Sequence, residues 1–321
     1  MASFQEGLSE ALALAWRRRE AAVRDQGLEA FRLIHGQADG LAGLEIEAYG
    51  GSWLATLESE KWLGAMPALE RALSELQDRI FPRRSGRVHF VANLPGRREP
   101  LGSAEPEILE VAEDGLRFEV ALGRGPHSGL FLDQRENRRE ARRLSEGRRC
   151  LNLFCYTGSF SIAALAGGAE EVVSVDLSKK ALAWLDRNRE LNGFADRRCR
   201  NRAEDAWDFL AKATKRGERF DLILVDPPSF GRGPKRAFNL GRDLEALVGG
   251  AAALLSRQGW LFLSINLEAL KAGEFRRRLK SALQASGLGI AKEIPLPFDF
   301  PTAGGAEPHL KSAWCRGFPH S

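Results

Sequence analysis

Residues 151–169 read LNLFCYTGSFSIAALAGGA. An apolar run ends at a turn around Gly158, and a segment of alanine, serine and isoleucine follows it. That pattern is a strand, a tight turn and a helix. A glycine at such a junction lets the backbone approach a ligand, and the start of the next helix offers N–H groups that have no partner within the helix. An ordinary strand-to-helix turn reads the same way, so the flanking sequence has to decide between them.

Downstream the pattern recurs. EVVSVD (171–176) precedes a helical segment at 178–192, FDLILVD (220–226) is a third apolar strand, and WLFLSI (260–265) precedes a helical segment at 273–286. Strands that are apolar on both faces and alternate with helices specify a parallel sheet covered on both sides. The expected fold class is therefore α/β, a Rossmann-like domain.

Upstream the organisation differs. A helix is expected over 9–27, with Leu12 and Trp16 on one face and Gly27 as its C-cap. Short strands at 31–35, 44–49 and 53–58 are punctuated by Asp39-Gly40 and Gly50-Gly51; a helix at 62–80 and a strand at 87–93 follow. The stretch 94–106, LPGRREPLGSAEP, has three prolines, two glycines and no apolar periodicity, so it reads as a linker. Two strands then flank Asp114-Gly115, a hairpin signal. The expected division is a small α+β domain over 1–104 and a larger α/β domain over 105–321.

The chain has 321 residues, 44% of them hydrophobic, and a net charge of +4. That balance permits a polyanionic partner without requiring one. The four cysteines, Cys150, Cys155, Cys199 and Cys315, form no CxxC pair and have no histidines at zinc spacing. No metal is expected, and the thiols read as buried and reduced, as in a cytoplasmic protein. The N-terminal MASFQEGLSEALALAW has no basic leader, and no run approaches the ~20 apolar residues that span a bilayer, so neither a signal peptide nor a membrane partner is expected.

Two further features support a nucleoside site. Asp176 ends EVVSVD, 18 positions after Gly158. In nucleotide-binding folds an acid about 20 residues on receives the ribose hydroxyls; its alternative role is to cap the helix beginning near Ser178. Asp226 ends FDLILVD and is followed by Pro227 and Pro228, which stiffen the turn. Ligands of open parallel sheets bind beyond the carboxyl ends of the strands, so Asp226 lies where an acceptor would meet a cofactor. The full G-x-G-x-x-G is absent, and with it the cradle for a pyrophosphate. This favours S-adenosylmethionine, which carries no phosphate, over NAD. No G-x-x-x-x-G-K-[ST] occurs either.

SGLFLDQRENRR (128–139), LNLFCYTGSFS (151–161), VVSVDLSKKALAWLDRNRELNG (172–193) and LVDPPSF (224–230) resemble the motifs of the 23S ribosomal RNA large-subunit methyltransferase I and K family. The likeness extends over about residues 15–316. It implies a class I methyltransferase domain with a mostly parallel seven-stranded sheet. It also implies that Gln134 and Arg135 lie in a segment beside the cofactor, that Tyr156, Thr157 and Gly158 line its methionine end, that Asp176 holds the ribose, and that Asp205 faces the adenine amino group. Asp226, Pro227 and Pro228 would form the catalytic turn. Two departures stand out. Type I members carry a PUA domain with no counterpart here. They also have a cysteine on the strand that here reads WLFLSIN; Ser264-Ile265-Asn266 resembles the serine-asparagine pattern of the type K guanine-N7 enzymes instead.

Basic residues follow the proposed turn. GRGPKRAFNLGR (231–242) has Arg232, Lys235, Arg236 and Arg242 and no acid, so it can hold phosphates while Phe230 or Phe238 stacks on an extruded base. Both phenylalanines are equally readable as core. Residues 83–98 hold five arginines and no acid; 135–149 reads as a helix with a mixed-charge face. The function expected is methyl transfer from S-adenosylmethionine to a nucleobase of 23S rRNA or its precursor, guanine N7 favoured, with Asn266 orienting the base. A homodimer is a further partner option. The alternatives are a cytosine-C5 enzyme, which needs a thiol nucleophile, a protein or small-molecule methyltransferase, and a non-catalytic RNA-binding module.

Overall fold

In the computed structural model, residues 2–125, 127–194, 199–232 and 237–317 are described. The chain divides into one unit of Met1–Gln134 with Leu296–Ala306, and a second of Arg135–Pro295 with Glu307–Ser321. The division expected at 104/105 falls inside the first unit.

In the first unit, α1 (Ala2–Asp25) begins earlier than expected, because Leu8, one turn before Leu12, is also buried and extends the apolar face. It ends as expected: Gly27 has φ 60°, and Gly27 N and Leu28 N donate to the carbonyls of Arg24 and Val23, closing the last turn. Strands β1 (Ala30–His35), β2 (Leu44–Tyr49), β3 (Ser52–Leu57), β4 (Val88–Leu94) and β5 (Arg97–Leu101) form a sheet in that order. Only β3 and β4 pair in parallel, and α2 (Met66–Ile80) connects them. The helix expected from 62 is a 3-10 turn over Glu60–Ala65 and then α2, with a proline in its first turn. Leu12 and Trp16 of α1, Leu69, Leu73 and Leu76 of α2, and Phe31, Leu33 and Trp53 of the sheet share one core.

The stretch read as a linker contains β5. It is an edge strand whose residues Arg97–Pro100 are all exposed, so it shows no apolar alternation and is held by its antiparallel pairing with β4. Hairpin β6 (Glu107–Glu113) and β7 (Leu116–Leu122) turns at Asp114 (φ 54°) and Gly115 (φ 76°), the doubly left-handed turn that Asp-Gly favours. The later segment 296–306 also belongs here: Asp299 Oδ2 accepts from Arg32 N at 2.8 Å, and Phe300 lies 4.8 Å beneath the Arg32 guanidinium.

The second unit opens with α3 (Arg135–Arg143), which ends before the expected 149, the residue at which β8 (Arg149–Leu153) begins. Helix α4 (Ser159–Ala166), β9 (Glu171–Asp176), α5 (Lys179–Leu191), β10 (Cys199–Ala203), α6 (Ala206–Lys215) and β11 (Phe220–Val225) alternate as expected of a parallel sheet. After the short ribbon β12 (Phe230–Arg232) and β13 (Ala237–Asn239) come α7 (Leu240–Ala252), β14 (Leu255–Ile265), α8 (Ala272–Gln284), β15 (Leu288–Lys292) and β16 (Lys311–Gly317). The sheet has seven strands in the order β10-β9-β8-β11-β14-β16-β15, with β16 antiparallel to both neighbours and the other pairings parallel. The order reverses between β8 and β11, which is where an open α/β sheet leaves a crevice at its carboxyl edge. Among the described residues no helix is long and apolar enough to cross a membrane.

Candidate functional site

Register places the motif turns side by side. Leu153 lies opposite Val175 on one side and Val225 on the other, and Val225 lies opposite Leu263. The turns after β8, β9, β11 and β14 therefore leave one edge of the sheet next to one another.

The turn after β8 is tightly wound. Phe154 (φ 58°), Tyr156 (φ 48°) and Gly158 (φ 81°) are all left-handed, a conformation that costs a side-chain-bearing residue about 1–2 kcal/mol. Specific bonds hold it. Cys155 N donates to Val175 O at 3.0 Å, and Gly158 N to Cys155 O at 2.8 Å. Tyr156 N donates to Asp176 Oδ2 at 2.9 Å, while Asp176 Oδ1 accepts from Ser178 N at 2.8 Å. Asp176 thus fastens two neighbouring turns through one carboxylate. It does not cap α5: Ser178 does, accepting from Ala181 N at 3.1 Å. Gly158 is required for space as well as for φ, since a Cβ there would lie 2.3 Å from Leu185 Cγ. Asn188 closes the arrangement by donating from Nδ2 to Thr157 O at 3.0 Å, and Thr157 is buried. The Tyr156 ring lies 6.4 Å from that of Trp184, and burial, with Asp176 nearby, pushes its phenol up to about 12. The sequence analysis gave no role to Trp184, Leu185 or Asn188; their spacing on one face of α5 is a signal that could have found them.

Asp205 is the N-cap of α6, accepting at Oδ1 from Trp207 N (2.9 Å) and Asp208 N (3.4 Å). It stands two residues beyond Ala203, which pairs with Asp176, so both acids lie along the same edge. Gln134 and Arg135 are both buried, but Gln134 ends the first unit and Arg135 opens α3 of the second.

At the end of β11, half-buried Asp226 accepts at Oδ1 from Ser264 Oγ at 2.5 Å; Ser264 is fully buried on β14. Pro227 is buried and Pro228 exposed. Ser229 Oγ donates to the carbonyl of Asn266, whose residue is exposed. The two phenylalanines part ways: Phe230 is 66% exposed, while Phe238 is buried with its ring 5.5 Å from that of Phe154. Phe238 is therefore core, and Phe230 alone of the pair can meet a ligand face.

The basic loop is seen in part. Lys235 and Arg236 lie outside the described residues, and of Arg232 only the backbone, in β12, is described. Arg242 is exposed and makes a two-point ion pair with Asp243 (Nε–Oδ1 2.8 Å, Nη2–Oδ2 2.9 Å), an acid one residue beyond the loop.

All four cysteines are buried free thiols. Burial pushes Cys150 and Cys315 up to about 12, and Cys155 and Cys199 are raised for the same reason. Since the thiolate is the nucleophile, none is prepared to attack a base. The edge instead offers a strained, close-approach turn with acids beside it, which suits a nucleoside, and a carboxylate turn with an exposed aromatic, which suits a planar acceptor.

Residues 31–313 match the model of the S-adenosylmethionine-dependent methyltransferase family. A Bacillus subtilis protein provisionally named ribosomal RNA large subunit methyltransferase YwbD is 32% identical over 288 residues, covering 86% of this chain and 71% of its own. A Deinococcus radiodurans protein named ribosomal RNA large subunit methyltransferase is 33% identical over 268 residues, covering 81% and 65%. The chain thus spans about two thirds of the length of these relatives. Among solved structures, SMU.776, provisionally described as a methyltransferase and complexed with SAH, superposes with a TM-score of 0.88 at 25% identity, over 97% of this chain and 81% of that one. The cofactor is S-adenosylmethionine, and the chain belongs to the S-adenosylmethionine-dependent methyltransferase family, alongside ribosomal RNA large-subunit methyltransferases.

Proposed function

We propose that this chain methylates a nucleobase of large-subunit (23S) ribosomal RNA, with guanine N7 as the favoured acceptor. The relatives' names support the RNA class. The acceptor rests on one observation: Ser264, not a cysteine, faces Asp226 at the end of β14, and every cysteine is buried with its thiol pushed up. Cytosine C5 is a poor nucleophile and needs a thiolate at C6, whereas a purine ring nitrogen has a lone pair and attacks directly.

When bound, the cofactor supplies a methyl group on a positively charged sulfur. In this reading Tyr156, Thr157 and Gly158 take its methionine end, with Gln134 and Arg135 in the flanking segment. Asp176 accepts from the ribose hydroxyls while keeping its two backbone donors, and Asp205 takes the adenine amino group. Asp226 with Pro227 and Pro228 holds the acceptor, Phe230 stacks on its face, and Asn266 hydrogen-bonds its edge. No general base is needed for a ring nitrogen, so the residues act by alignment and exclusion of water. The carboxylate of Asp226 would stabilise the positive charge that a methylated purine ring nitrogen carries. Arg232, Lys235, Arg236 and Arg242 hold backbone phosphates, and the first unit assists RNA recognition.

The test is tritiated methyl transfer to total rRNA, with free protein as control, followed by mass spectrometry of the digested product. 7-Methylguanosine is expected. 5-Methylcytosine would overturn the acceptor assignment, and label in protein alone would overturn the RNA assignment. Replacing Arg232, Lys235 and Arg236 with alanine should flatten the dependence of log affinity on log salt by about 0.7 for each phosphate no longer neutralised, with cofactor binding unchanged.

A further inference from the structure

Three side chains outside that catalytic set hold the Asp226 turn and the Asn266 segment. Ser264 Oγ donates to Asp226 Oδ1 at 2.5 Å. Ser229 Oγ donates to the Asn266 carbonyl. Lys311, 5% exposed at the start of β16, donates from Nζ to the Leu267 carbonyl at 3.1 Å and approaches the His309 carbonyl at 3.5 Å. Leu267 O also receives Leu270 N at 3.1 Å. The backbone around Asn266 is therefore pinned on both sides, by a hydroxyl from the Asp226 turn and by an ammonium from β16.

Core packing alone does not call for this set. Ser264 faces the interior, where alanine would fit without a polar group to satisfy, and a lysine at 5% exposure is costly unless its donors are used. β11 and β14 already pair up to Val225 and Leu263, and Ile265 pairs with Lys311. The three side chains act just past the β11–β14 ladder, where the chain leaves the sheet at Asp226 and Asn266.

We propose that Ser264, Ser229 and Lys311 are positioning residues for methyl transfer. They join the Asp226 turn and the Asn266 segment into one rigid edge, so that the carboxylate and the base-orienting amide keep a fixed separation and angle. This rests on the reading that the acceptor is held between those two residues. A misplacement of about 1 Å is enough to cost on the order of a hundredfold in rate. The clamp should therefore be read in kcat, with little change in KM or cofactor affinity.

The experiment uses the full chain, a 23S rRNA transcript and single-turnover methylation, with cofactor affinity by calorimetry and melting temperature measured in parallel. Ser264→Ala should lower the transfer rate about ten- to a hundredfold, with cofactor affinity and KM for RNA within about twofold. In an Asp226→Ala background the same change should alter the rate by less than about twofold, since the group it positions is gone. Ser229→Ala, at a half-buried site, should show a smaller loss of the same kind that Ser229→Thr restores, and it serves if Ser264→Ala does not fold. Full rates in both alanine variants, a loss confined to KM, or a Ser264→Ala loss undiminished by Asp226→Ala would overturn the clamp. Should Asp226→Ala itself keep the full rate, the proposed transfer site falls, and the clamp with it.

Discussion

Replacing Asp176 with alanine separates the two roles of its carboxylate. The side chain accepts from Tyr156 N, at a half-buried position, and from Ser178 N, at an exposed one. Bonds to a charged acceptor contribute about 1.5–3 kcal/mol each, and exposure puts these at the low end. Phe154 and Tyr156 are held left-handed at about 1–2 kcal/mol each, so the turn relaxes once the fastening is removed. Together these predict a loss of about 2–3 kcal/mol in stability, a fall in Tm of roughly 4–10 °C, with the fold retained. Cofactor binding should lose a further ~1.5–3 kcal/mol from the ribose bonds, an affinity drop of roughly 10- to 150-fold. Asp176→Asn keeps one acceptor and no charge, and should fall between. The assay is isothermal titration with S-adenosylmethionine and SAH beside thermal unfolding. Affinity unchanged within about twofold, alongside the drop in Tm, would show that Asp176 only fastens turns, and would move the cofactor site elsewhere.

Replacing all four cysteines with serine or alanine should leave rRNA methylation within about tenfold of the native rate, because no thiolate is required; total loss in a folded variant refutes the purine reading. The same thiols give a pH prediction. Burial raises their folded pKa above the unfolded value, so the folded state holds the protons longer. Their contribution is complete below the unfolded pKa of about 8.5 and is lost as pH rises towards about 12 for Cys150 and Cys315, so unfolding free energy measured by denaturant should fall across that window, and less steeply in the cysteine-free variant. Phe230→Ala should weaken RNA binding by about 1–3 kcal/mol, the scale of losing one base stack, without altering Tm, whereas Phe238→Ala should cost about 3–5 kcal/mol of stability; equal melting temperatures for the two variants would contradict their different burial.

What sequence alone determined is whatever local patterns encode. Alternating strands and helices after residue 150 declared the parallel sheet, because a strand covered on both faces must be apolar throughout. Asp114-Gly115 declared its hairpin, because few other pairs accept two left-handed residues. The strand-end positions of Gly158, Asp176 and Asp226 were legible because they follow from where an apolar run stops. Tertiary structure decided everything that depends on neighbours distant in sequence. β5 was hidden, since an exposed edge strand needs no apolar side and is defined only by its pairing with β4. Phe230 and Phe238, indistinguishable as letters eight positions apart, separated only when Phe154 packed against one of them. Asp176 proved to fasten the β8 turn rather than cap α5, and Arg242 proved to be ion-paired with its neighbour Asp243. The Ser264–Asp226 bond joins residues 38 positions apart, and Lys311 reaches a carbonyl 44 positions back. Such bonds exist because parallel and antiparallel pairing brings the ends of β11, β14 and β16 together at one edge, and no local pattern records that meeting.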